Sequence, residues 1–467
     1  MMNYFFYFLL ISLLILFIYK LNLKKQIENL LYYLAEIFNL FLDTSLNEKA
    51  QEKKILHSLL RLIINLIQLV SKMAFIFLFT YVFSSLIYYY FKINIFPLLI
   101  NPYLNLVIII LSFFYFILFK KSNNNFSMTT KFIFRVVLGN NYILRLLFKI
   151  NRRRKVNNTC KLNKCIFISG LARSGTTSLL NDLFSTGSFS SAKYSDLPFL
   201  TYPNLFNFFK TKKKVNNLID RKHNDGIKYS LNSPEAFDEI FWRIFLQKKY
   251  IKKKYLKIHN ISKEILSYYN IFINFFLLND NKNFYITKNN NNLLRLNSLS
   301  KYFKESLFIF CIRDPVQHSE SLMRQHHNFV KLHKKDSFNL EYMNFLSHYE
   351  FGLNHKYFYL GSGKNKYLKN TVNYWLYCWY EYYSYLYQNL DRYSNVYILD
   401  HTKYCLNKDY YIRSIQKKLN IVNSTKFNND DFYLNLNRVQ SSHRFDSNLL
   451  AKARRLYFEI NKNVKKL

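Results

Sequence analysis

The hydrophobic pattern changes character along the chain. In the middle, two short apolar runs of buried-strand type, Cys165–Ser169 and Ser306–Ile312, each stop in turn chemistry and give way to helical periodicity. The first run empties into Gly170-Leu-Ala-Arg-Ser-Gly-Thr-Thr177, the second into Arg313-Asp-Pro315 and then Val316–His326. Pro315 suits a helix's first turn. Val396–Leu399, closed by Asp400, reads as a further strand. The pattern predicts an α/β domain over residues 161–467: three layers, with a parallel P-loop-like sheet flanked by helices.

Upstream the pattern is different. Residues 3–19, 73–91 and 98–119 are free of charge over lengths that reach a bilayer span of about 17 residues. Pro97 and Pro102 shorten or kink the third. The first has neither a basic leader nor a small-residue cleavage site, so it is expected to be retained. Lys20, Lys24, Lys25, Lys49, Lys53, Lys54, Arg61 and Lys72 separate the first two spans, against Lys92 alone between the second and third. Positive loops stay inside, which puts the amino terminus outside and the catalytic domain in the cytoplasm. Leu30–Leu42 and Phe132–Ile150 read as interfacial amphipathic helices. The expected organisation is a membrane segment over 1–120, a basic connector over 121–160, and the α/β domain.

Composition refines this only slightly. A formal net charge of +39 suggests a polyanionic partner, but it accompanies 40 Tyr, 46 Phe and abundant Asn and Ile, the suite an AT-rich genome produces. With no zinc-finger or RNA-reading motif beside it, nucleic acid is not expected as a partner. Five cysteines at 160, 165, 311, 378 and 405 lack disulfide or zinc spacing. His326-His327 has no matching ligand at metal spacing, and no metal is expected.

The chemistry concentrates where strands end. Gly170 and Gly175 fit the G-x-x-x-x-G frame that closes backbone N–H groups around an anion at a helix N-terminus. Thr176 stands where nucleotide hydrolases carry lysine, so the frame argues for an anion other than a triphosphate, with Arg173 supplying positive charge. Arg313 ends the second strand and Ser321 follows two helical turns on, placed to share a second phosphate.

This pairing of loop, arginine and serine resembles the sulfotransferases that use 3′-phosphoadenosine-5′-phosphosulfate, in particular their bacterial and tyrosylprotein-like branch. The resemblance implies that Arg173, Ser174, Gly175, Thr176 and Thr177 wrap the 5′-phosphosulfate, and that Arg313 and Ser321 hold the 3′-phosphate. It extends to Ser233–Trp242 and Tyr285–Leu293. Lys288 matches the lysine that contacts the transferred group, but asparagines 289–292 occupy the place of the catalytic histidine. An amide cannot take a proton at neutral pH.

The base then comes from elsewhere. Glu235 and Glu239 are four residues apart, one helical turn if Ser233 caps a helix. His223, with an ordinary pKa near ~6.5, competes with them. A structural reading stands beside the catalytic one: Pro234 and Glu235 in a first turn, with Glu239 paired to Arg243 on the surface. The implied reaction is sulfuryl transfer to a hydroxyl or amine, and membrane attachment favours a lipid or glycan acceptor. The alternatives are a P-loop kinase or NTPase and a non-catalytic membrane-anchored anion-binding protein.

Overall fold

The computed structural model describes residues 6–7, 9–14, 21, 23–41, 48–94, 97, 128–155, 162–203, 205, 219–220, 228–361, 365–421 and 445–463. The chain divides into two compact units, 1–140 and 141–467.

The first unit is helical where described: α1 is Leu23–Phe41, α2 is Glu48–Phe91 and α3 is Met128–Val137. Polar groups tie α1 to α2. Asn65 Nδ2 donates to the Gln26 carbonyl at 2.9 Å, and Gln26 Nε2 donates to Gln68 Oε1 at 3.2 Å. The apolar stretch 73–91 forms the second half of α2, which starts instead at Glu48 because Glu, Lys, Gln and Leu over 48–72 are strong helix formers. Over Ala50–Phe91 this helix is long and apolar enough to cross a membrane, and an 18-residue stretch within it has a mean hydropathy of 2.1. Its apolar side chains, Phe77, Leu78 and Tyr81 among them, are exposed. Of the span expected over 3–19, residues 6–7 and 9–14 are helical, and the span over 98–119 lies outside the described residues. The amphipathic stretch at 132–150 is two helices, not one. Gly139, a poor helix former, ends the first, and its N–H donates to the Phe134 carbonyl at 3.0 Å.

The second unit opens with α4 (Asn141–Lys155) and continues β1 (Lys164–Ser169), α5 (Thr176–Ser185), β2 (Phe189–Ser190), α6 (Glu239–Tyr250), α7 (Lys263–Asp280) and β3 (Phe284–Lys288). It then runs β4 (Leu307–Ile312), α8 (Pro315–Lys335), α9 (Ser337–Leu346), α10 (Val372–Asn389), β5 (Val396–Asp400) and α11 (Ser447–Asn463). The five strands form one sheet in the order β2-β3-β1-β4-β5, all parallel. Helices cover both faces, so each central strand is apolar almost throughout. One face buries Ile166, Ile168, Ile286, Ile309 and Leu399 against Leu179, Leu180 and Leu183 of α5. On the other, Phe167 stacks on Phe308 with ring centroids 4.6 Å apart. Cys165 and Cys311 are buried within these strands. The aromatic stretch 374–385 lies in α10, where Tyr374, Trp375, Trp379, Tyr382 and Tyr383 are buried.

Register places the functional residues. Ile168 pairs with Lys288, Ser169 with Phe310, and Ile312 with Asp400, so the strand ends carrying Gly170, Lys288, Arg313 and His401 share one edge. Ligands in open parallel sheets bind at that edge.

Candidate active site

The loop between β1 and α5 depends on its glycines. Gly175 caps α5 at φ +91°, and a Cβ there would fall 1.8 Å from His401 Cδ2. Gly170, at φ +136°, would place a Cβ 2.6 Å from the Cys311 carbonyl oxygen of β4. No side chain fits either position, which leaves a bare backbone cradle at a helix N-terminus. Arg173 also adopts a left-handed conformation, φ +72°, uncommon for a residue with a side chain.

That turn aims Arg173 at α8. Its Nε donates to Ser321 Oγ at 3.3 Å, joining the loop to the second motif. Asp314 caps α8 by accepting from the N–H groups of Val316 and Gln317 at 3.1 and 3.0 Å. Arg313 Nη2 donates to Gln317 Oε1 at 3.3 Å. Burial, and then the positive charge of Arg173, push the Arg313 pKa down. An anion bound beside Arg313 would offset that cost. His318, one helical turn before Ser321, holds its Nε2 2.8 Å from the Ala172 carbonyl. Burial holds it neutral, with its pKa lowered to about 3.

Across the loop stands Lys288, at the end of β3 and only 8% exposed. Its Nζ donates to Glu235 Oε1 at 2.9 Å and to Thr177 Oγ1 at 3.2 Å, so one ammonium links a carboxylate to the loop. Glu235 also accepts from the Ala236 N–H at 3.0 Å and from Tyr194 Oη at 3.4 Å.

Glu239 is elsewhere. The helix starts at Glu239 with Asp238 as its cap, so Ser233, Pro234 and Glu235 precede it and the two glutamates do not share a helical turn. Pro234 pairs with Lys193 in an isolated β-bridge, which holds that stretch extended. Nor does Glu239 meet Arg243, whose Nη1 donates to Asn141 Oδ1. It is 1% exposed, and Arg295 Nη2 donates to its two oxygens at 2.9 and 3.0 Å. Asn289 Nδ2 and Tyr250 Oη complete its partners, and the Arg295 guanidinium lies over the rings of Trp242 and Tyr250. This carboxylate is a structural ion. His223, the third candidate base, lies outside the described residues.

The asparagine run is ordered by hydrogen bonds. Asn289 Oδ1 accepts from the Asn291 N–H at 2.9 Å and caps a 3₁₀ turn over Asn290–Arg295, while Asn290 Nδ2 donates to Glu350 Oε1 at 3.1 Å. Glu350 and His401 are the site residues that sequence reasoning missed. His401 packs over Gly175, and burial lowers its pKa to about 4. Its position just after strand-ending Asp400 was the available signal. Glu350 had none.

A cavity of about 740 Å³, its mouth included, is lined by Arg173, Thr176, Thr177, Glu235, Lys288 and Glu350. A glycine loop at a helix N-terminus, a lysine–carboxylate pair and the Arg173–Ser321 contact beside Arg313 therefore share one edge of the sheet. Residues 165–359 match the Sulfotransferase family. The matched segment holds both strand-end motifs, Glu235 and Lys288, and stops before β5. The chain is also similar to a crystal structure of sulfotransferase STF1 from Mycobacterium tuberculosis H37Rv, at 11% identity and a TM-score of 0.38, over 64% of this chain and 80% of that one. No curated protein matches the chain. Among the described residues no cluster of three or more His, Cys, Asp or Glu is placed to hold a metal.

Proposed function

We propose that this protein is a membrane-anchored sulfotransferase that moves a sulfuryl group from 3′-phosphoadenosine-5′-phosphosulfate to a hydroxyl or amine of an acceptor, its catalytic unit on the cytoplasmic side. The observation that carries this reading is the pair of bridges at the sheet edge: Lys288 between Glu235 and Thr177, and Arg173 onto Ser321 beside Arg313. The bare cradle from Gly170 to Gly175 fits a 5′-phosphosulfate, and the arginine–serine cluster fits a separately held 3′-phosphate. When bound, the donor supplies the sulfuryl group and keeps the electron pair of the broken S–O bond on its 5′-phosphate. Glu235 takes the acceptor's proton as the acceptor oxygen or nitrogen bonds to sulfur. Lys288, Arg173 and the loop N–H groups stabilise the charge that develops, by positioning and electrostatics. Anchoring falls to the apolar length of α2, which favours a lipid or membrane-proximal glycan acceptor.

The test is ligand binding to the full-length chain. 3′-Phosphoadenosine-5′-phosphate should raise its melting temperature where magnesium–ATP does not. Arg173→Ala and Arg313→Ala should each weaken that binding about 10- to 100-fold, the loss expected for a hydrogen bond to a charged group. Undiminished affinity in both variants sinks the assignment.

A further inference from the structure

A second cavity adjoins the first. It encloses about 530 Å³, its mouth included, and its walls are largely apolar: Leu171, Leu322, Tyr357, Phe358 and Trp375. Ala172 and Glu350 line both cavities, so the two meet at the phosphate loop with one carboxylate at the junction.

The position of Glu350 is built. Asn290 Nδ2 donates to it at 3.1 Å, and Asn290 is itself 6% exposed, its carbonyl accepting from Tyr382 Oη at 3.2 Å. The segment that follows is clamped by histidines. The Gly352 N–H donates to His326 Nδ1 and the Leu353 N–H to His333 Nδ1, both at 3.2 Å. His355 Nε2 lies 2.8 Å from Tyr374 Oη. Gly352 has φ +82°, and a Cβ there would lie 2.3 Å from the His333 ring, so the close approach needs glycine.

A carboxylate facing a cradle for anions weakens donor binding by repulsion, in a chain with 67 basic and 28 acidic residues. Its fixed placement therefore serves something other than the donor. Glu235 already carries Lys288, Tyr194 and a backbone N–H. Among the described side chains Asn290 alone donates to Glu350, which leaves it acceptor capacity toward a ligand.

We propose that Glu350 orients the acceptor: its carboxylate accepts a hydrogen bond from a hydroxyl or amine that stands beside the nucleophile, on a molecule whose flat apolar body occupies the second cavity. The acceptor is then amphipathic, an apolar ring system or similar body bearing the nucleophile at its edge, and not an extended polar sugar polymer. This rests on the sulfotransferase reading. The carboxylate fixes the approach, the aromatic walls take the apolar body out of water, and Glu235 receives the proton.

The experiment uses the full-length chain with 2,3-dihydroxynaphthalene as the apolar acceptor, glucosamine as the polar comparator and 3′-phosphoadenosine-5′-phosphate as the donor-site probe. The diol, which offers one hydroxyl as nucleophile and one to Glu350, should bind in the presence of the bisphosphate and be sulfated in preference to glucosamine. Glu350→Ala should lower kcat/KM for the diol about 10- to 100-fold with bisphosphate affinity not reduced, and Glu350→Gln, which keeps an acceptor oxygen, should recover most of it. Leu322→Phe, which narrows the second cavity, and Phe358→Ala, which strips its wall, should each raise the KM for the diol. Unchanged kcat/KM in Glu350→Ala, loss of bisphosphate affinity along with turnover, or no diol binding by a chain that binds the bisphosphate would each overturn the inference. Failure of the unmodified chain to bind the bisphosphate at all is instead the failure of the sulfotransferase reading.

Discussion

Glu235 and Glu239 lie four residues apart, and each faces a cation delivered from β3 or the turn after it, yet the two pairs are built for different ends. Glu239 meets Arg295 with both oxygens and keeps Asn289 and Tyr250 as further partners, while the Arg295 guanidinium lies over the Trp242 ring. Glu235 meets Lys288 with one oxygen at the wall of a cavity, and Lys288 divides its ammonium with the phosphate loop. A planar guanidinium suits a sealed pair because its fork and its ring-stacking faces are satisfied in place. A lysine is a point charge on a flexible stem, able to shift from carboxylate to ligand. The lesson is that a buried carboxylate and its cation are read by where their remaining valences point.

That contrast is broken most forcefully at the open pair. Glu235→Gln, which keeps an acceptor oxygen for Lys288, should lower turnover about 10²- to 10⁴-fold, the usual share of acid–base chemistry, while the melting temperature stays within a few degrees of the parent. A variant that melts early and keeps its rate would reverse the two roles. At the sealed pair the effect should fall on stability. Glu239→Ala strands the Arg295 charge and should cost about 3–5 kcal/mol, seen as early thermal unfolding. Replacing both partners, Glu239→Leu with Arg295→Met, should recover most of that loss, because burying two matched charges gains little over good apolar packing.

A smaller effect is expected at the cradle. Gly175→Ala places a Cβ against His401 at φ +91° and should cost about 1–3 kcal/mol of backbone strain, with weaker bisphosphate binding. Adding His401→Ala should relieve the clash and leave the strain, which calorimetry and melting together can separate.

The smallest effect is the slope of stability with pH. Burial lowers His259, His318 and His355 to about 3, and His326 and His401 to about 4. Their folded pKa values lie below the unfolded one, so the stability they contribute is present above about pH 6.5 and is lost as pH falls towards 4 and below. Asp238, raised to about 6 chiefly by burial, acts the other way between its ordinary value and pH 6, where stability falls as pH rises. Five histidines outweigh one aspartate, and the melting temperature should fall on acidification from pH 6.5 to 4. Asp238→Asn should steepen that fall, and His318→Gln should flatten it. A flat profile in the parent chain contradicts the assignment of neutral buried histidines.

Much of the α/β unit was legible because its signals are local. A strand buried on both faces must be apolar along its length, a phosphate loop must have glycine where a Cβ has no room, and Asp314-Pro315 caps and starts a helix by its own hydrogen-bonding chemistry. The helical period over 233–239 misled for a physical reason as well. Pairing of Pro234 with Lys193 competes with helix formation, and that partner lies 41 residues away. At the amino-terminal end the charged residues 48–72 read as a loop by charge, but their intrinsic propensity carries α2 through them.

By itself, then, the sequence determined the strands, the glycine loop after β1, the strand-end position of Arg313 with Ser321 in the helix that follows, and the lysine at the end of β3. These depend on backbone geometry and on side chains acting within a few residues of one another. Only the tertiary structure decided which carboxylate faces the site. Glu235 reaches Lys288 across 53 residues, Glu239 reaches Arg295 across 56, and Glu350 reaches Asn290 across 60. Desolvation of a charge is set by everything folded around it, and no spacing along the chain encodes that.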